Sequence, residues 1–275
     1  LAFPQRSCGD MSRQSGSHPG PATSNLSAQH KEERLKFCKR HVEPFLDDMY
    51  DCVHVDEKWF YVTRTKMRFY LWPDEEPPPR YAQSKCHIEK EMFLCAVAKP
   101  REDWDGKLGC WEIIETIQTQ RRSKNRPAGV DLVVPVNINR VKYRSMLLEK
   151  VLPAIKQKWK WPLNSSCRTI WIQQDNARSH ILPNDRQFCD AGQDGVWDIR
   201  MRNQPPKSPD LNVLDLGFFN SIQSLQHKKD CRNTSQLMLV VKDAFNELES
   251  VTLYKTFMTL QRVMKVVIDV SGSNS

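Results

Sequence analysis

The 275-residue sequence has no apolar run approaching the ~18 residues that a membrane-crossing helix needs. It has no charged-then-apolar leader pattern and no internal repeat. No two of its nine cysteines stand as C-x-x-C, and several lie inside apolar runs. Reduced, buried thiols in an intracellular compartment are the simplest account of that spacing. No initiating Met opens the chain, so a piece of a longer protein is the expectation. What is present is a basic balance, 41 Lys and Arg against 33 Asp and Glu, for a net charge of +8. Such a surplus suits a polyanionic partner. The apolar share of 39%, with eight Trp and eleven Phe, supports one large domain or one domain with appendages.

Residues 1–30 are rich in Ser, Gly, Pro and Gln and carry no periodicity, which predicts a disordered segment. A linker helix is expected within 31–50. Strand-like runs follow at 52–63, 66–72 and 92–98, the first two close enough for a hairpin. The Pro-rich text between the last two reads as an extended loop. A strand is expected in "GCWEIIETI" and a loop in "RRSKNRPAG". The clearest helix covers 141–159, where Leu147, Val151, Ile155 and Trp159 recur every fourth residue and Pro153 predicts a kink. Further strands at 169–174 and 196–204, a helix from Ser208, and two helices at about 234–249 and 251–268 complete the order. This predicts an α/β fold, a mixed five-stranded sheet with helices on both faces over 51–230, and extra C-terminal helices over 231–270.

Three carboxylates stand where apolar residues would be expected. Asp56 interrupts "VHVDEKWFYV", Asp175 closes the run Thr169–Ile172 in "IQQDNARSH", and Asp215 lies beside Leu214 and Phe218. A carboxylate that loses hydration needs hydrogen bonds, a cation or a metal. Taken alone, Asp175 also reads as a strand-end residue accepting turn N–H groups, with Asn176 helping. Asp210 reads as a helix-start residue, behind Ser208 as N-cap and Pro209 at the first helical position. Two acids on core strands and one on a packed helix are a candidate site for Mg²⁺, which takes a few carboxylates plus water and phosphate oxygens. Two such ions can activate a water or hydroxyl and steady the leaving oxygen in phosphodiester cleavage.

The stretches "VHVDEKWFYVTR", "IQQDNARSH" and "SPDLNVLDLGFFNSIQSLQ" resemble the three catalytic blocks of mariner-type transposases, in particular the plant-type branch. The 39 residues between Asp175 and Asp215, and an aspartate as third acid, are similar to that branch. "PDEEPPPRYAQSK", "AVAKPRED", "SKNRPAG" and "LPAIKQKW" resemble its intervening text, so the likeness covers about 31–265. It implies a ribonuclease H-like catalytic domain with Asp56, Asp175 and Asp215 as catalytic metal ligands. It further implies two Mg²⁺ or Mn²⁺ ions, cleavage of transposon-end DNA and joining to target DNA, while "RRSKNR" reads as a nuclear import signal, so a nuclear location is the expectation. A loop at 73–90 would reach a second copy in a homodimer. The family carries Pro where Ser179 stands, and a paired helix-turn-helix region that residues 1–30 cannot supply. The ending "VSGSNS" reads as cut short, so a truncated element is the expectation.

Two rivals use the same residues. His54 and Asp56 share a strand face, and His180 follows Asp175, a pattern open to a His/Asp metallohydrolase, although zinc sites gather more nitrogen or sulfur ligands. His180 is expected to support the site as a hydrogen-bonding neighbour, with Asn176. The other rival is a DNA-binding remnant without turnover. For either DNA reading, Arg121, Arg122, Lys124, Arg126, Lys142 and Arg144 are candidate phosphate contacts.

Overall fold

In a computed structural model the chain is described over residues 26–44, 46–62, 89–118, 122, 129–161 and 168–273. Residues 1–25 of the expected disordered segment 1–30, the hairpin partner at 66–72 and nearly all of the 73–90 loop lie outside the described residues, and residues 28–30, expected to be disordered, already belong to the first helix.

Strands β1 (Cys52–Tyr61), β2 (Lys90–Ala98) and β3 (Lys107–Glu112) form an antiparallel meander. Strand β4 (Ile114–Gln118) and β5 (Asp131–Pro135) make a separate two-stranded ribbon. The single strand expected in "GCWEIIETI" is therefore two, broken at Ile113, whose side chain is fully buried. Helix α2 (Arg140–Met146) passes through a π-helical turn, Leu147–Val151, into α3 (Leu152–Lys158). Pro153 sits in the first turn of α3, where its missing N–H costs least. The widened turn thus precedes the proline and takes the place of a simple kink.

Strand β6 (Thr169–Gln174) then enters beside β1, and α4 (Arg186–Gly192) leads to β7 (Asp198–Asn203). The main sheet runs β3-β2-β1-β6-β7, with β1–β6 and β6–β7 parallel. Such pairs need crossover connections, which α2–α3 and α4 supply. The helix expected from Ser208 arrives in pieces: a 3₁₀ turn (Pro209–Leu211), a π-helical turn (Leu214–Phe218) and α5 (Phe219–Gln226). Helices α6 (Thr234–Glu247) and α7 (Ser250–Asp269) close the fold, and α1 (Ala28–Val42) lies along α7.

The period-2 alternation of β1 and β2 feeds two cores. Val53, Val55, Leu94 and Ala96 join Tyr143, Leu147, Val151 and Ile155 on one face. Phe60, Phe93, Cys95 and Val97 join Phe218, Ile222, Val241 and Phe257 on the other. Leu253, Phe257, Leu260, Met264 and Val267 form the buried stripe of α7. Each such side chain contributes about 1.5–3 kcal/mol by leaving water. Trp59, Trp171 and Trp197, expected to be mostly core, are half-buried.

Asp210 stands in the first turn behind Ser208 and Pro209, as expected, but the cap expected of Ser208 is not made. The Ser208 hydroxyl donates to the Pro206 carbonyl. Asp210 receives Arg34 of α1 at both carboxylate oxygens, at 2.7 and 2.6 Å. The same guanidinium donates through Nε to the Gly272 carbonyl. Gly272 has φ of +82°, and a Cβ there would stand 2.1 Å from the Lys31 carbonyl oxygen. Only glycine lets the chain close over α1 at that point.

Candidate active site

Parallel pairing sets Cys52 beside Trp171 and His54 beside Gln173. Continued by two residues, that register puts Asp56 level with Asp175, just past the end of β6. Neighbouring strands lie ~4.8 Å apart, close enough for the two carboxylates to feel each other. Asp56 is 8% exposed. Its Oδ1 accepts from the Glu57 N–H at 2.8 Å, and its Oδ2 accepts from Asn212 Nδ2 at 2.7 Å. Asp215 lies within side-chain hydrogen-bonding reach of Asp56. The three predicted acids therefore meet beside the C-terminal end of β6, with Asp56 in the middle of β1, Asp175 just past β6 and Asp215 on the π-helical turn.

Their protonation differs for physical reasons. Burial, then the charges of Asp215, Glu57 and Asp175, push the Asp56 carboxyl well above the usual carboxylate range. Burial also raises Asp215, partly offset by Lys58 and by the hydrogen bond with Asp56. Asp215 sits at the exposed rim, so desolvation acts less on it than on Asp56. At Asp175 burial is outweighed by hydrogen bonds from His180 and the Ala177 N–H, and its carboxyl is held below the usual range.

His180 is the centre of a second layer. Its Nδ1 lies 2.8 Å from Asp175 Oδ1, and its Nε2 lies 3.1 Å from Glu57 Oε2. Burial opposes its charge, but these two carboxylates push the imidazole up to about 10, so it stands as a cation between them. Tyr143 stacks on the ring with centroids 4.2 Å apart. Asn176 donates to the Gln204 carbonyl at 2.6 Å and accepts from Asn203, tying the end of β6 to the end of β7. Asp175 also accepts the Ala177 N–H of the turn at 2.8 Å, as a strand-end residue would. Sequence reasoning missed Glu57, Tyr143 and Asn212. Glu57 follows Asp56 directly, but nothing local marks Tyr143 or Asn212 as neighbours of the acids.

His54 does not join the acids. It is buried, neither ring nitrogen has a hydrogen-bond partner among the described residues, and it meets Phe257 edge-on at 5.4 Å. Burial holds its pKa down to about 3. It is a neutral core residue, and the His/Asp metallohydrolase loses its first nitrogen ligand. Among the candidate phosphate contacts, Arg122 is exposed. Lys142 Nζ donates to the Ile114 carbonyl, and Arg144 makes a forked pair with Asp185 with a shortest distance of 2.6 Å. Arg121, Lys124 and Arg126 lie outside the described residues.

Among the described residues, no group of three or more His, Cys, Asp or Glu side chains is placed to hold a metal ion. The donor chemistry is still of the kind a hard divalent cation takes: carboxylate oxygens near one another, one of them raised by burial and by its acidic neighbours, with Asp215 exposed. Mg²⁺ characteristically leaves part of its shell to water and phosphate.

No protein-family model and no curated protein matches the chain. Solved structures do match. The isolated catalytic domain of Mos1 mariner transposase superposes with a TM-score of 0.58 at 16% identity, covering 92% of this chain and 98% of that one. The Mos1 mariner paired-end complex with Mn gives 0.60 at 16% identity, and its paired-end complex with left transposon end 0.63 at 15%. The chain spans 64% of the transposase length in the first complex and 66% in the second. The sheet is the ribonuclease H-like α/β sheet. The fold is the one found in the catalytic domain of a mariner transposase.

Proposed function

We propose that this chain is the catalytic domain of a mariner-type transposase, cutting DNA at element ends and joining them to a target. The observation that carries the reading is the meeting of Asp56 within β1, Asp175 just past the end of the adjacent parallel β6, and Asp215 on the π-helical turn beside them. Asp56, Asp175 and Asp215 would hold the divalent ions, Mg²⁺ or Mn²⁺ and two in number. Bound there, the ions would supply a nucleophile of lowered pKa and charge stabilisation of the leaving oxygen.

The chain's own residues prepare the site. His180 holds Asp175 through Nδ1 and Glu57 through Nε2, and its charge offsets theirs. Burial and the neighbouring acids oppose the charge of Asp56, an opposition that a bound cation would relieve. Lys58 offsets the charge of Asp215 at the rim. In the same reading Arg121, Arg122, Lys124 and Arg126 neutralise backbone phosphates, the work is on nuclear DNA, and 73–90 reaches a second copy. The Mos1 complexes, one of them with a left transposon end, support a DNA partner.

The test is nicking of end-containing duplex with Mg²⁺ or Mn²⁺. Nicking should be absent with EDTA and lost in Asp56→Asn, Asp175→Asn and Asp215→Asn, each still folded. Full nicking by any of the three variants would remove that residue from the site. Absence of nicking by the parent with both metals would favour a binding remnant.

A further inference from the structure

Asn212 bonds one of the three acids directly and the start of the turn that carries another. It is 2% exposed. Its Nδ2 donates to Asp56 Oδ2 at 2.7 Å, and its Oδ1 accepts from the Leu214 N–H at 3.0 Å. The amide orientation is fixed by donor logic, because a backbone N–H only donates and must face the oxygen. The NH₂ is then forced toward Asp56. Leu214 opens the π-helical turn that carries Asp215, and the Leu216 N–H donates back to the Asn212 carbonyl. The residue itself is pinned: its N–H donates to the Pro209 carbonyl, and Gln173 Nε2 reaches the Leu211 carbonyl at 3.3 Å.

We propose that Asn212 is a positioning residue that sets the spacing of Asp56 and Asp215 for cation binding. The proposal rests on the metal reading above. A carboxylate has about four lone-pair directions. With Glu57 N–H on one oxygen and Asn212 on the other, the Asp56 carboxylate cannot rotate, and the remaining directions stay open to a cation. The same amide starts the turn that brings Asp215 to Asp56. Removing it frees both ligands at once. Hydrogen-bonding partners of metal-ligating groups are typically worth about 10–100-fold in metal affinity.

The experiment measures Mn²⁺ binding by the loss of the free-ion EPR signal, with thermal melts of the metal-free protein alongside. Asn212→Ala should melt cooperatively yet bind Mn²⁺ at least ~10-fold more weakly than the parent. Asn212→Ser covers the case in which the alanine variant does not fold. Its hydroxyl can still accept from the Leu214 N–H, but it is too short to reach Asp56, so it should show the same weakened binding. The Mg²⁺ concentration for half-maximal nicking should rise by the same factor. A purely structural role would lower the melting temperature and leave Mn²⁺ affinity within about two-fold of the parent, and that result overturns the proposal. A parent that binds no Mn²⁺ overturns the metal reading and this inference together; unchanged affinity in folded variants overturns this inference alone.

Discussion

Arg34 and Asp210 lie 176 residues apart and meet in a two-pronged ion pair, with a guanidinium that is fully buried. The pair joins α1 to the 3₁₀ turn that precedes Asn212 and Asp215, so the approach to the third acid is braced by the N-terminal helix. Burying a guanidinium is costly unless every N–H is answered, and here Gly272 supplies a third acceptor.

Breaking that pair from one side leaves the other charge stranded. Asp210→Asn should lower stability by roughly 2–4 kcal/mol, less than a fully enclosed pair would lose because Asp210 is partly exposed. Arg34→Met should cost a similar amount, while Arg34→Met with Asp210→Leu should recover most of it. Urea melts of the three variants check this. Equal stability of Asp210→Asn and parent would leave Asp210 the role of a helix-start residue alone.

Arg144 carries a prediction about binding. Its fork to Asp185 also holds the N-cap of α4, since Asp185 accepts from the Phe188 N–H at 3.2 Å. Arg144→Gln should therefore lower the melting temperature, because the fork and the support it gives the N-cap are both lost. The slope of log K against log salt for DNA should stay unchanged, whereas loss of a true phosphate contact lowers it by ~0.9. A reduced slope with unchanged stability would make Arg144 a DNA contact after all.

Glu91 on β2 is buried, with one carboxyl oxygen lacking a partner among the described residues. Burial, then the Glu112 charge, push it up to about 7. A carboxyl raised in the folded state favours folding fully below its unfolded value of about 4.5. That contribution is lost as pH rises through about 7. Glu91→Gln should therefore melt higher than the parent at pH 8, with the gap closing toward pH 4.5. A gap that widens on acidification would reverse the sign and exclude this origin.

The three acids were legible in the sequence because each breaks an apolar pattern, and β1, β2, β6 and β7 follow from β-branched runs. The ribbon of β4 and β5 was not, since its strands are short and Ile114–Gln118 is largely exposed on the far side of a one-residue break. The role of Asp210 was hidden for a different reason. Ser-Pro-Asp is a sound local start signal, and no local rule announces a partner in α1. Asn212 was hidden likewise, because its contact with Asp56 spans 156 residues. Periodicity reports the faces of elements; it does not report which polar side chain crosses between them.

The acids themselves separate by sign in the metal-free protein. A carboxyl depressed in the folded state adds stability above its unfolded pKa and loses it as pH falls, whereas a raised one subtracts stability as pH rises. Asp175 is of the first kind, because the His180 cation overcomes its burial. Asp56 is of the second, because burial and Asp215 oppose its charge. Asp175→Asn should therefore lower the metal-free melting temperature at pH 8, and Asp56→Asn should raise it or leave it unchanged. Simple mutual repulsion among three acids would instead raise both. On adding Mg²⁺ the order should invert for Asp56, since the parent gains from every ion it binds and Asp56→Asn has lost a ligand. The measurement is a set of melts at pH 8 with EDTA and with excess Mg²⁺. If Asp175→Asn were the stabilised variant without metal, His180 would not carry the charge assigned to it here. The link from His180 through Asp175 to the site would then fail.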